Sequence, residues 1–122
     1  MTGQRLSLGK KGEEIARRHL ERQGYKILAA NYRTRNGEID LIARDGATLV
    51  FIEVKTRMQD RFGSPFEALS NKKCRSISKV ALEYLLSHGG LEQPARFDVV
   101  SVLPGEEMEV EVLRNAFDLC YP

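Results

Sequence analysis

The sequence is short of most features that would take it out of the ordinary class of soluble domains. It has two cysteines, Cys74 and Cys120, too far apart for a CxxC pair, and with His19 and His88 they make no zinc-ligand spacing. Free buried thiols are the expectation. No apolar run approaches the roughly 20 residues that cross a bilayer, and MTGQRLSLGKKGEE lacks the continuous apolar stretch of a signal peptide, so a cytoplasmic protein with no membrane partner is expected. Repeats, low-complexity tracts and linker-like segments are also missing. What remains is 122 residues, 42% hydrophobic and 30% charged, which fits one domain over 1–122 with a core of useful size.

Net charge is only +2, but it is unevenly spread. Residues 1–80 hold 17 basic against 9 acidic side chains, and residues 81–122 hold 2 against 8. A polyanion-binding face in the first two-thirds of the chain is one reading, and ordinary solvated helix surfaces are the other.

Periodicity orders the elements. Ile15, Ala16, His19 and Leu20 recur at helical spacing, predicting a helix over 8–23 that stops at Gly24. YKILAANYR, 25–33, reads as a strand. GEIDLIAR, the turn Asp45-Gly46 and ATLVFIEVKTR read as a hairpin. A polar loop over 57–65 follows. Ile77, Val80, Ala81, Tyr84 and Leu85 then predict a second helix from about 65 to 86. RFDVVSVL, a PGEE turn and MEVEVLR supply two more strands. The sum is an α+β domain.

The hairpin carries charge where a core should be dry. Alternation predicts Glu38, Asp40 and Ile42 on one face, and Phe51, Glu53 and Lys55 together. If Asp45-Gly46 is a two-residue turn, paired positions sum to about 91 and Asp40 and Glu53 are diagonal neighbours; a looser turn with a sum of about 93 sets them opposite. Either way two carboxylates meet, and they repel unless a cation lies between them. Lys55 is one candidate and a divalent metal the other. Mg²⁺ takes one or two carboxylates, water and phosphate oxygens. With Lys55 placed to meet a phosphate or orient a water, the parts match metal-assisted phosphodiester hydrolysis.

Asp40, twelve intervening residues and then Glu53-Val54-Lys55 resemble the D…(D/E)xK signature of the restriction-endonuclease-like nuclease superfamily. Over nearly its whole length the chain also resembles the YraN-type family of small bacterial proteins assigned there, through GEEIA, GEIDLIA, FIEVKTR and RFDVV. The resemblance implies an αβββαβ core with a mixed sheet flanked by helices. Ile39 stands where the superfamily often has proline. Related junction-resolving nucleases also use a glutamate from the first helix. On a wheel of about 100° per residue, Glu13 flanks the inward face and Glu14 faces water, so Glu13 is the candidate; the alternative is that it merely complements the helix dipole.

Glu38 is either a further ligand or the partner of a nearby arginine. Arg57, Arg61, Lys72 and Lys73, with Arg75 and Lys79, are candidates to neutralise phosphates, or simply a solvated basic face. Asp98 reads as structural, paired with Arg96. Glu109 and Glu111 alternate with apolar residues as the acidic outer face of a strand. The expected protein is an endonuclease dependent on Mg²⁺ or Mn²⁺ and acting on DNA, branched or repair-related, with Glu13, Asp40, Glu53 and Lys55 at its centre. The alternative is a nucleic-acid-binding module with the same fold and little turnover, needing a protein partner. A homodimer stays open.

Overall fold

A computed structural model describes residues 8–57, 70–103 and 108–120. Arg61, most of the loop expected over 57–65, the stretch 65–69 and the PGEE turn lie outside them. The elements run α1 (Leu8–Arg22), β1 (Lys26–Thr34), β2 (Gly37–Asp45), β3 (Thr48–Thr56), α2 (Asn71–Ser87), β4 (Ala95–Leu103) and β5 (Glu109–Phe117). Their order is the one periodicity predicts. Among the described residues no helix is long and apolar enough to cross a membrane.

The five strands form one sheet in sequence order. β1, β2 and β3 are a meander of antiparallel pairs, β3 and β4 are parallel, and β5 returns antiparallel to β4. The parallel step needs a crossover, which α2 provides. Each helix then covers one face. Ala16 and Leu20 of α1 pack with Leu41, Ala43, Val50, Ile52, Val100 and Val102. Ile77, Val80, Ala81, Tyr84 and Leu85 of α2 pack with Ile39, Ile42, Leu49, Phe51 and Phe97. Strands apolar on both faces, such as LVFI in β3, follow from this double cover.

Two expected boundaries shift for local reasons. α2 begins at Asn71, not near residue 65, because Ser70 is extended (φ −70°, ψ 159°) and its hydroxyl accepts from Lys73 N–H, an N-cap that satisfies one orphan donor. The hairpin turn is Gly46-Ala47, not Asp45-Gly46. Asp45 still pairs with Thr48, and the ladder runs on through Ala43↔Val50 to Leu41↔Ile52, so paired positions sum to 93. Asp45 stays in the ladder because Arg96 Nη2, from β4, holds its carboxylate at 2.8 Å, while Gly46 takes the left-handed φ of 62° that glycine adopts without steric cost.

Gly12 fixes how closely α1 approaches the sheet. It is buried, and a Cβ there would land on the Thr56 hydroxyl at the end of β3. Gly12→Ala is therefore expected to push α1 outward and to destabilise the protein by about 1–3 kcal/mol, the usual range for overpacking, despite the gain in helix propensity. Thermal unfolding measures this, and an unchanged or raised Tm would show that α1 accommodates the methyl.

Candidate active site

Where β2 and β3 pass beyond Leu41↔Ile52, they part. Continuing the register one step brings Asp40 opposite Glu53, but the link there is a side chain: Val54 N–H donates to Asp40 Oδ2 at 2.8 Å. Across β1 the neighbouring pairs are Ala30↔Leu41 and Tyr32↔Ile39, which leaves Asn31 level with Asp40. Asn31 has φ of 53°, a left-handed conformation that asparagine tolerates better than most residues.

The faces of β2 change at the same level. Ile39 and Ile42 both pack towards α2, while Leu41 packs towards α1, so strict alternation breaks at Asp40. Ile42 therefore does not share the side on which Glu38 and Asp40 gather, contrary to the alternation rule. Asp40 lies where the sheet opens and is reached from both sides. On the α1 side, carboxylate oxygens of Glu13, Glu38 and Asp40 lie within 4.8 Å of one another. The Asn31 side chain lies close enough to Glu13 to work against the rise that burial and the Asp40 charge impose on it, and Arg33 Nη2 donates to Glu38 Oε1 at 2.6 Å. Glu38 thus pairs with an arginine, as one of its two readings expects, and also joins the carboxylate cluster. Glu14 points to water with Arg18 Nε at 3.0 Å.

On the α2 side stands Glu53, whose side chain is 10% exposed. Its Oε2 is 3.4 Å from Lys73 Nζ in the first turn of α2. Its Oε1 is buried with no hydrogen-bond partner. The cation beside the carboxylate pair is therefore Lys73 and not Lys55, the candidate that spacing along the strand suggested. Lys55 shares the face of Phe51 and Glu53 by alternation, is half-buried, and makes no ion pair among the described residues. Lys72 is exposed at the start of α2 and Arg57 half-buried just past β3; Arg57 N–H donates to Val102 O at 2.8 Å.

Electrostatics follow from this crowding. Burial, and next the Glu53 charge, push the Asp40 carboxyl up to about 7, against the lowering effect of the Val54 N–H and of Lys73. Glu13 is raised too, by burial first and then by the Asp40 charge. A carboxyl that burial and a neighbouring like charge hold protonated is a candidate functional group.

Asp98 shows that this chain can satisfy a buried carboxylate fully. Fully buried, it accepts from Tyr25 Oη at 2.9 Å, from Arg96 Nε at 3.0 Å and from Asn115 N–H at 2.9 Å. Its expected pairing with Arg96 is present. The open Glu53 Oε1 stands out against it.

Sequence reasoning missed two contributors. Asn31 is signalled only by an asparagine within a strand run, and the contact of Lys73 with Glu53 only by a serine three residues before it that can cap α2.

A mixed sheet with one helix on each face, and carboxylates gathered where its β2–β3 hairpin opens, make an α+β protein with an αβββαβ core. The chain belongs to the uncharacterised protein family UPF0102, whose family model matches residues 12–102. Curated relatives cover almost all of it. A UPF0102 protein of Geobacter metallireducens is 50% identical over 116 residues, 94% of this chain and 95% of that protein. One from Desulfosudis oleivorans is 47% identical over 118 residues, 97% and 95% of the two chains, and one from Alkaliphilus metalliredigens is 41% identical over 111 residues, 91% and 97%.

Proposed function

We propose that this protein is a divalent-metal-dependent endonuclease that hydrolyses DNA phosphodiester bonds, with branched or repair-related DNA as its substrate class. The observation that carries the reading is Glu53 Oε1, a buried carboxylate oxygen without a partner beside a second carboxylate that its charge helps keep protonated. A buried acceptor left open costs about 1–3 kcal/mol, and a metal ion removes that cost and the repulsion together.

The donor set fits Mg²⁺ or Mn²⁺: hard carboxylate oxygens, with room for water and phosphate oxygens. Asp40 and Glu53 would hold the ion, with Glu13 and Glu38 beside them. Bound there, the ion supplies an acidified water and neutralises charge on the phosphate. The protein's own groups do the rest. Val54 N–H fixes the Asp40 carboxylate, Asn31 orients Glu13, and Lys55 presents an ammonium on the face that Glu53 occupies. Lys72, Arg57 and Arg61 are the proposed contacts for flanking phosphates.

Incubating purified protein with Mn²⁺ and linear, flapped or four-way DNA tests the reading; cleavage of at least one is expected. Salt-dependent binding without cleavage of any substrate would favour a nucleic-acid-binding module instead. Replacing Lys72 and Lys73 together with Ala should reduce the slope of log affinity against log salt by about 2 in the presence of metal, at roughly 0.9 for each phosphate contact. An unchanged slope would return both to the solvated surface.

A further inference from the structure

We infer that Lys73 is the resident counter-ion of the carboxylate pair, released towards the substrate phosphate when a divalent cation binds. The inference rests on the metal reading above and assigns a positioning role to a residue that sequence alone marks only as a phosphate contact.

Three observations carry it. Lys73 Nζ lies 3.4 Å from Glu53 Oε2, and Glu53 lies opposite Asp40 across the β2–β3 hairpin, one register step past Leu41↔Ile52. Its backbone is pinned, because Lys73 N–H donates to Ser70 Oγ at 3.1 Å, but its side chain is 45% exposed and can turn into solvent. Finally, it lies in a first turn that contains no acidic residue. A cation at the positive end of a helix is unfavourable, and the pair of carboxylates across from it offsets that placement.

The geometry resolves a competition. A lysine beside Glu53 and a metal ion on Glu53 are two cations seeking one carboxylate. With metal bound, attraction of the ammonium to Glu53 is weakened and like charge repels it. A phosphate beside the metal then offers Lys73 an anion within reach of its flexible stem. The side chain thus keeps Glu53 aimed before loading and moves to substrate after it.

Calorimetric titration of the metal-stripped protein with Mn²⁺ tests this without relying on turnover. Lys73→Met should bind Mn²⁺ about 3- to 10-fold more tightly than wild type, the scale expected for losing a partly exposed ion pair that competes with the metal. Lys73→Arg should bind with the wild-type affinity, as should Lys72→Met. Lys73→Gln, which loses the charge but retains a hydrogen-bond donor, should reproduce the tightening if Lys73→Met does not fold. Unchanged or weaker Mn²⁺ binding by the neutral variants overturns the inference, as does a wild-type protein that binds no Mn²⁺. A second arm follows DNA affinity against salt: Lys73→Gln should leave the slope unchanged without metal and reduce it by about 0.9 with Ca²⁺. An equal reduction in both conditions makes Lys73 an ordinary phosphate contact. If wild type binds Mn²⁺ but neither binds nor cuts DNA, the nuclease reading fails, and the Mn²⁺ affinities still decide the role of Lys73.

Discussion

Asp40→Asn is expected to abolish DNA cleavage in Mn²⁺ while making the metal-free protein more stable above pH 7. The first effect follows from position: Asp40 lies between Glu53 on one side and Glu13 and Glu38 on the other, so its loss removes the carboxylate common to both. A fall in rate of at least about 100-fold is expected, the lower end for loss of one preorganised charge-stabilising group. The second effect follows from linkage. Folding raises the Asp40 carboxyl from 3.8 to about 7, so the folded state binds its proton more tightly than the unfolded chain does. The stability contributed by that proton is fully present below about pH 4 and is lost as pH rises through about 7. Asparagine cannot ionise, and it retains an oxygen for Val54 N–H. Above pH 7 the variant should gain about 1–3 kcal/mol, read as a rise in Tm of several degrees. At pH 4 the two proteins should melt together. Unfolding scans in chelator at pH 4 and 8 supply the comparison, and a variant less stable at both would make Asp40 a structural residue.

Lys55→Ala should disable chemistry while sparing fold and metal affinity. Lys55 sits one residue from the end of β3 and is half-buried, so a stem laid along the sheet with the ammonium towards the rim is expected. Lys73 takes the ion pair with Glu53, and in the proposed nuclease this leaves Lys55 for the reacting phosphate. Truncation removes one positive charge next to that group, a loss on the order of 100- to 1,000-fold in rate. Stability should change by no more than about 0.5 kcal/mol. Single-turnover cleavage, thermal unfolding and Mn²⁺ titration together decide the matter. Full activity would show that the lysine has no part in the chemistry, and global unfolding would show that its role is packing.

Local chemistry made most of the fold legible. Helical periodicity in α1 and α2 and the Asp-Gly step between β2 and β3 predict the element order that the sheet displays. Exact register was not legible, because Asp45 is held in the ladder by Arg96, 51 residues later in the chain. The same limit applied at the site. Spacing brings Asp40 towards Glu53, but strict alternation could not foresee the break at Asp40 that leaves Ile39 and Leu41 on opposite faces. Nor could it foresee that the capped first turn of α2 would deliver Lys73 to Glu53. Contacts between elements distant in sequence decided each point, and no local pattern encodes them.

The gap between β2 and β3 also gives the centre a direction. Acids from α1 and β2 flank Asp40 on one side, while an amine from α2 stands on the other. Such a cradle cannot be turned end for end and look the same. A nucleic-acid strand has polarity too, its 5′ and 3′ oxygens being distinct at every phosphate. If the proposed function holds, a strand lying across this rim would take one preferred heading, set before any base is read.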